Sequence, residues 1–481
     1  MKFVLALYIF IPFISMAQIT PVTSLMNPDT LNQADFEYTA LNIKSIDIAA
    51  RDSLNPKKYL YIPLAETVGS NLGLWSFNKF VTGAGHADIS WKTIKRNFSS
   101  GFGWDSDALL INQFGHPYQG SMYYNSARST GYNYVESMTV TGMGSLMWEF
   151  FMETEPAAIN DFIATTLSGA MLGEMLYRMS SRIIDESVVG KERILREWLA
   201  AIVNPFRALN RTFYNRTTRN HSKNIYEREP RNGELSLGMN NVAEGTNLLK
   251  GTRNLMLKFD YYYGQPFNRG KHKPFDYFNF HFALNFWEQE PIGYVYSHGF
   301  LFGKELTLKH NQKLLTGIFQ HYDYISNNIY TIGATSLGWG IVYRFPAVND
   351  AELLSEMHIS FILMGGANSA YAEEYLIPGV SSYPYRDYNM GTGLNSKFEG
   401  TLSFPWGSLH LGYLGYWIHT LDGAPGDEII GIFKPKFTYK IKGPWNVGIE
   451  YLFYHRQGIY DDYPNIDLQN NEQRLFLSWK F

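Results

Sequence analysis

The last ten residues, Glu472 to Phe481, constrain this chain more than any other stretch. Leu475, Leu477, Trp479 and Phe481 fall on one side of an alternating pattern, and Arg474, Phe476, Ser478 and Lys480 on the other. Successive side chains of a strand point to opposite faces. The segment is therefore greasy on one face and, Phe476 apart, polar on the other. A strand of this kind suits a wall between lipid and water, as in a transmembrane β-barrel.

The two ends place such a barrel in the bacterial outer membrane. Terminal Phe481 resembles the signal by which outer-membrane barrels are recognised for insertion. It implies barrel-assembly machinery and outer-membrane lipid as partners. At the other end, Met1-Lys2, an apolar run from Phe3 to Ile14 and Ser15-Met16-Ala17 make the three regions of a secretory signal, cut after Ala17. The chain has no Cys, which excludes a lipoprotein anchor, disulfides and thiolate chemistry. Its net charge of -3 offers no basic field to nucleic acid. Aromatics reach 16% while mean hydropathy is only -0.22. That pairing fits strands that give half their residues to lipid. No mature segment supplies the roughly 20 consecutive apolar residues of a spanning helix.

Four regions follow. Residues 1–17 are the signal peptide, and 18–60 read as a disordered periplasmic leader. The leader carries Asp29-Thr30-Leu31 and Asp52-Ser53-Leu54, which resemble a bacterial O-glycosylation sequon. Residues 61–225 have helical rhythm, with helices expected over 64–81, 117–130, 134–153, 159–184 and 191–202. Asn160-Asp161 is placed to cap the fourth. Gly169 and Gly173 make a GxxxG step suited to close helix contact.

From 226 to 481 the period becomes two, and about twelve strands fit, an even number as single-chain bacterial barrels require. They are 232–242, 251–263, 275–288, 292–309, 313–325, 329–345, 353–366, 388–405, 407–420, 428–441, 445–456 and 471–481. Phe278, Phe280, Phe282, Leu284 and Phe286 share one face, opposite Tyr277, Asn279, His281 and Asn285. Asp260, Glu399, Lys434, Lys436, Glu450 and Arg474 are expected to line a hydrated, charge-paired lumen. Loops should alternate long outside and short inside, with Gln457–Asn470 and Ala367–Asp387 among the long ones. The fold class is thus mainly β, an antiparallel barrel preceded by a helical part that plugs or braces it.

The helical region strings polar residues through apolar surroundings: Trp104-Asp105-Ser106-Asp107, Asn112, His116-Pro117-Tyr118-Gln119-Gly120, Arg128, Ser137, Gly144-Ser145, Trp148-Glu149, Glu153, Asn160-Asp161, Thr165, Gly169, Gly173-Glu174, Arg178 and Ser180. This order, best over about residues 100–215, resembles the uncharacterised domain of unknown function 3943. The resemblance implies an exported protein with a helical block before a barrel-like region, and implies no activity.

Chemically, Glu149 and Glu153 lie one helical turn apart, as do Glu174 and Arg178. His116, Glu149, Glu153 and Asp161 are the candidates for an acid–base or metal site. The competing reading has Arg128, Arg178 and Arg182 neutralising the carboxylates in a structural network with Glu174. No HExxH, GxSxG or phosphate-loop motif is present. Ser297 and His298 are adjacent on one strand and point to opposite faces, so they form no dyad. No cofactor and no resident metal are expected. The leading reading is an outer-membrane barrel for envelope maintenance or passage of a small solute or lipid. The alternative is a lipid- or envelope-modifying enzyme using the His/Glu cluster. A structural anchor for periplasmic partners is the third.

Overall fold

The computed structural model describes residues 58–481 except 106, 222–228, 246–249, 268–271, 288–290, 309–311, 328–329, 349, 370 and 373–385. The expected signal peptide, the two sequon-like tripeptides and most of the Ala367–Asp387 loop lie outside the described residues.

Helices come first: α1 (Tyr61–Phe77), α2 (Trp91–Ser100), α3 (His116–Arg128), α4 (Tyr134–Phe151), α5 (Ile159–Ile163), α6 (Gly169–Ile183), α7 (Gly190–Val203) and α8 (Pro205–Phe213). A π-helical turn, Ile111–Gly115, leads into α3, and another, Ala164–Ser168, joins α5 to α6. Helix α2 went unanticipated because its sequence is polar and short; Ser90 and Thr93 start it with reciprocal capping bonds. Helix α8 starts where Asn204 accepts from Arg207 N and Pro205 supplies a preset φ. Helices α3 and α6 cross almost backbone to backbone. A Cβ on Gly120 would sit 2.0 Å from the Thr165 carbonyl oxygen, and one on Gly169 would sit 2.6 Å from Gly120 Cα.

The strands are β1 (Arg231–Glu244), β2 (Thr252–Tyr263), β3 (Phe278–Asn285), β4 (Ile292–Thr307), β5 (Lys313–Ser326), β6 (Thr331–Val348), β7 (Ala351–Asn368), β8 (Tyr388–Phe404), β9 (Gly407–Asp422), β10 (Gly426–Lys442), β11 (Trp445–Tyr460) and β12 (Ile466–Lys480). Each pairs antiparallel with its sequence neighbours, and β1 closes the ring on β12. Strand β3 is shorter than expected. Phe275, at φ 61°, turns the chain so that its N–H reaches Phe300 O at 2.6 Å. The 457–470 segment, expected as a long loop, is mostly strand, since β11 and β12 stay paired out to Gly458↔Ile466.

Bonds between strands that are not neighbours fix which face is the lumen. Lys258 on β2 donates to Glu450 on β11 at 3.0 Å, and Lys397 on β8 to Asp323 on β5 at 2.6 Å. Lys436 on β10 reaches Asp260 on β2 at 3.3 Å. Such pairs meet only through the interior. Arg474, held by Glu450 and Glu472, joins this layer. Glu399 and Lys434 are buried on the same side. Apolar clusters close the space on either side of the charged layer: Tyr294, Ile332, Tyr416, Ile430 and Tyr454 toward one end, Phe300, Leu315, Phe319 and Val342 toward the other. The barrel fills its lumen with its own side chains.

The opposite face carries Leu235, Leu237, Trp339, Ile359, Leu394, Leu411, Phe433, Ile449, Leu475 and Trp479, all exposed. This is the apolar exterior of a membrane-spanning barrel. On β3 to β5 the rule breaks. Phe278, Phe280 and Phe282 point outward yet are buried, packed with Leu109, Phe114, Met171, Leu172 and Met175 of the helical region. Since His321 and Asp323 face the lumen, Gln320 and Tyr322, which alternate with them, face out. Tyr322 Oη donates to Gln113 O at 2.6 Å, and Gln320 Nε2 to Leu167 O at 2.8 Å. The helical block is therefore mounted on the outer wall and does not enter the lumen. Its own outward side chains, including Tyr61, Leu72, Val135, Phe151, Trp198 and Phe213, are apolar and exposed. No helix among the described residues is long and apolar enough to cross a membrane.

A filled lumen has a consequence that planar-bilayer recording tests. The intact protein should show no steady porin-like steps. Removing the block should uncover Phe278, Phe280 and Phe282 and cause aggregation rather than conductance. Large stable steps from either form would contradict this packing.

Candidate functional site

The polar string of the helical region divides into two groups with opposite electrostatics. The first is compensated. Glu174 on α6 accepts from Arg128 Nε at 2.7 Å and Arg178 Nε at 2.8 Å, with Tyr124 Oη adding a bond at 2.7 Å. Burial alone would raise the Glu174 carboxyl, but the two guanidiniums outweigh it and hold the group below the usual range. Arg178 also pairs with Asp276, in the loop before β3, at 3.0 Å, so this network ties block to barrel. Arg182 lies one turn further along α6.

The second group is uncompensated. His116 opens α3 directly after a π turn. Glu149 stands near the end of α4, and Asp161 in α5. One ligand atom from each lies within 4.8 Å of the others, and all three residues are buried. His116 Nε2 is 3.6 Å from Asp161 Oδ1, and its Nδ1 is 3.2 Å from Thr165 Oγ1 in the second π turn. Glu149 Oε2 accepts from Ala158 N at 2.8 Å, whereas Oε1 is buried without a partner. Asn160 does not cap its helix. It accepts from Asp105 N at 3.0 Å and donates to Asp161 at 2.7 Å. With its amide oxygen accepting from Tyr388 Oη, Asn112 donates to Asp161 at 3.0 Å and to Asp105 at 3.1 Å. Glu153, half-buried, accepts from Trp148 Nε1 at 2.5 Å.

Among the described residues no Lys or Arg forms an ion pair with Glu149, Glu153 or Asp161. The expected neutralisation by Arg128 and Arg178 fails because both are spent on Glu174 and Asp276. Burial pushes Glu149 up to about 8, against the Ala158 N–H and with Asp105 and Asp107 adding to it. Asp161 is held well above its ordinary range by burial and then by Asp105 and Glu149. Burial lowers His116 to about 4, only partly offset by Asp105. A neutral imidazole facing carboxyls that resist ionisation can hold a proton, or a cation that replaces it.

Several members of the site were not legible in the sequence. Tyr388 and Arg386 reach it from the start of β8; Arg386 contacts Asp105 O at 3.4 Å and also binds Asp422. Asn97 on α2 donates to the carbonyls of Glu149 and Glu153 at 3.4 and 3.0 Å. Nothing local marks them, because their partners are remote in the chain. Ser297 and His298 do part to opposite faces. Ser297 bonds to Tyr322 O on the adjacent strand, and His298 to Glu356 in the lumen.

The fold is thus an outer-membrane-type barrel carrying a wall-mounted helical block. Residues 101–206, within that block, match the family described as a domain of unknown function, DUF3943. No curated protein matches the chain. Among solved structures, the chain is similar to the outer membrane channel DcaP of Acinetobacter baumannii, at 11% identity and TM-score 0.22, over 52% of this chain and 96% of that one. It is also similar to the COG4313 outer membrane channel from Pseudomonas putida F1, at 7% identity and TM-score 0.26, over 53% and 97%. The translocator domain of the autotransporter NalP from Neisseria meningitidis gives 9% and 0.25, over 53% and 90%. Scores this low carry no argument about mechanism.

The uncompensated group makes stability depend on pH in a defined sense. Glu149 moves from 4.5 unfolded to about 8 folded, so the native state binds the extra proton and stability falls as pH rises across that window. His116, lowered from 6.5 to about 4, acts oppositely, and its effect is complete by pH 6.5. Between pH 6.5 and 8, with chelator present, Glu149 should therefore contribute a loss of about 1–2 kcal/mol, in the same direction as Asp161 and Glu153. Glu149→Gln should reduce the slope by that share. A flat wild-type profile would mean that Glu149 ionises freely.

Proposed function

We propose that this protein is a bacterial outer-membrane enzyme whose centre is His116, Glu149 and Asp161, acting on a lipid or lipid-linked envelope component. One observation carries the reading: two fully buried carboxylates and an imidazole converge with no cation to balance them. A purely structural network gains little from that arrangement, since carboxyls kept neutral by burial form no ion pair and leave Glu149 Oε1 buried without a partner. One His with two carboxylates is a donor set for a divalent cation. Bound there, the cation would supply Lewis acidity and an activated water. Of the chain's own groups, partner-free Glu149 Oε1 is placed to accept a proton, and Asn112 and Thr165 fix Asp161 and His116.

The block's position supports a substrate from the bilayer. Its exterior carries exposed apolar side chains as the barrel wall does, and α2 adds exposed Trp91 and Phe98 beside Lys92, Lys95 and Arg96. That composition suits a membrane interface with anionic headgroups. Through Asn97, α2 is joined to the end of α4 that carries Glu149. Solute passage loses its support with the filled lumen. Bracing has a specific observation in its favour, the Arg178–Asp276 link, and is compatible with catalysis. Export by a cleaved signal and assembly through the strand ending at Phe481 complete the proposal.

Glu149→Gln and His116→Ala test it in cells and with purified protein in lipid vesicles. Since Glu149 has no arginine to strand, its amide variant should keep heat-modifiable migration and its melting temperature at neutral pH. Turnover, read as the envelope-lipid change seen in a full deletion, should fall by about 10²-fold or more. Folded variants with the wild-type lipid profile would return the protein to a purely structural role.

A further inference from the structure

The lumen holds a second convergence, unrelated to the block. His298 on β4 and Glu356 and His358 on β7 place one ligand atom each within 4.8 Å of one another, all buried. His321 on β5 stands beside them. The three ring centroids are 4.6, 5.0 and 5.7 Å apart. Three imidazoles bound tetrahedrally to one zinc, at about 2.0–2.1 Å from nitrogen, would have centroids about 5.2 Å apart. Co-ligand atoms around such a centre are about 3.3–3.4 Å apart. Glu356 Oε2 is 2.8 Å from His298 Nε2 and 3.6 Å from His358 Nε2, on either side of that spacing.

Two further observations point to a ligand. Both ring nitrogens of His321 and of His358 are buried without a hydrogen-bond partner. A buried polar atom left without a partner destabilises the fold unless something binds it. Neighbouring side chains also orient the carboxylate. Tyr277 Oη donates to Glu356 Oε1 at 2.5 Å and Asn279 Nδ2 at 3.2 Å, leaving Oε2 for the centre. Gly340 on β6 makes the room, since a Cβ there would lie 2.2 Å from His358 Nδ1. Lys397, which pairs across from His358 on β8, is already bound to Asp323.

We propose that His298, Glu356 and His358, joined by His321, form a lumenal site for a first-row divalent cation, zinc by preference. The set is imidazole-rich and closed by protein, as structural zinc sites are. It would clamp β4, β5 and β7 at mid-lumen. The inference does not rest on the enzymatic reading.

Cobalt is the probe, added to chelator-stripped full-length protein in detergent. To silence the block, the protein carries His116→Ala and Glu149→Gln. The expected result is one equivalent of tetrahedral cobalt, read from its visible d–d bands, displaced by zinc, and a melting temperature that rises with zinc. Adding His298→Ala with His358→Ala should abolish the bands. If those alanines prevent heat-modifiable folding, Glu356→Gln, which keeps the outer hydrogen bonds, should weaken cobalt binding by about tenfold or more. No bands before the lumenal changes, or bands that survive them or Glu356→Gln undiminished, would overturn the site.

Discussion

A closed ring of strands gives each residue one of two sides, and the rest of this molecule follows from that sorting. With β1 sealed to β12 there is no free edge, so nothing can join the sheet through backbone bonds. The helical block attaches through side chains of the wall rather than through strand pairing, and chiefly where the outer wall offers aromatic bulk. Phe278, Phe280 and Phe282 supply it on β3, with Tyr322 and Tyr324 on β5. Specific bonds then fix the seat: Ser168 to Thr335 at 2.5 Å, and Arg178 to Asp276. Elsewhere the same face meets lipid with single apolar side chains and no partner.

Inside the block, two sets of carboxylates share the same helices and the same depth but not the same fate. Glu174 receives two arginines and a tyrosine hydroxyl through four hydrogen bonds. Glu149 and Asp161 receive amides, a backbone N–H and an imidazole. The difference is not a shortage of cations, because Arg207, Arg211 and Arg193 are also buried in this block. They serve carbonyls and acids such as Glu186 instead. Leaving Glu149 and Asp161 unbalanced keeps their charge state available to a proton or a cation. The π turns on either side are consistent with that, since such turns gather at functional sites.

Much of the fold was legible because alternation is a strong signal when one face meets lipid. On β10, Phe433, Phe437, Tyr439 and Ile441 are exposed while Lys434 and Thr438 are buried, a pattern the residues alone display. What alternation cannot reveal is the identity of the apolar phase outside. Phe278 to Leu284 reads the same whether lipid or a helix covers it. That is why the block was expected to plug or brace the barrel, and why its seat on the outer wall needed coordinates. The candidate site was half legible. His116, Glu149 and Asp161 stood out as polar residues in apolar helices, but pairing depends on distance, and the arginines assigned to them had nearer partners. His298, His321 and His358 carried no motif at all, because they come from three strands and meet only when the ring closes.

The two candidate centres occupy opposite sides of one stretch of wall. His321 faces the lumen and Tyr322, next in the chain, holds Gln113 of the block from outside. Ser336 faces inward to Asn395 while Thr335 faces outward to Ser168. A strand fixed from the inside cannot shift its register or twist without displacing the side chains that seat the block. The lumenal histidines, by holding β4, β5 and β7 together, would stiffen the surface on which the π turns around His116 rest. Rigid support of this kind is what a buried acid–imidazole centre requires, because a misplacement of about 1 Å is enough to lose its geometry. Filling the lumen then serves the wall, and the wall serves the block.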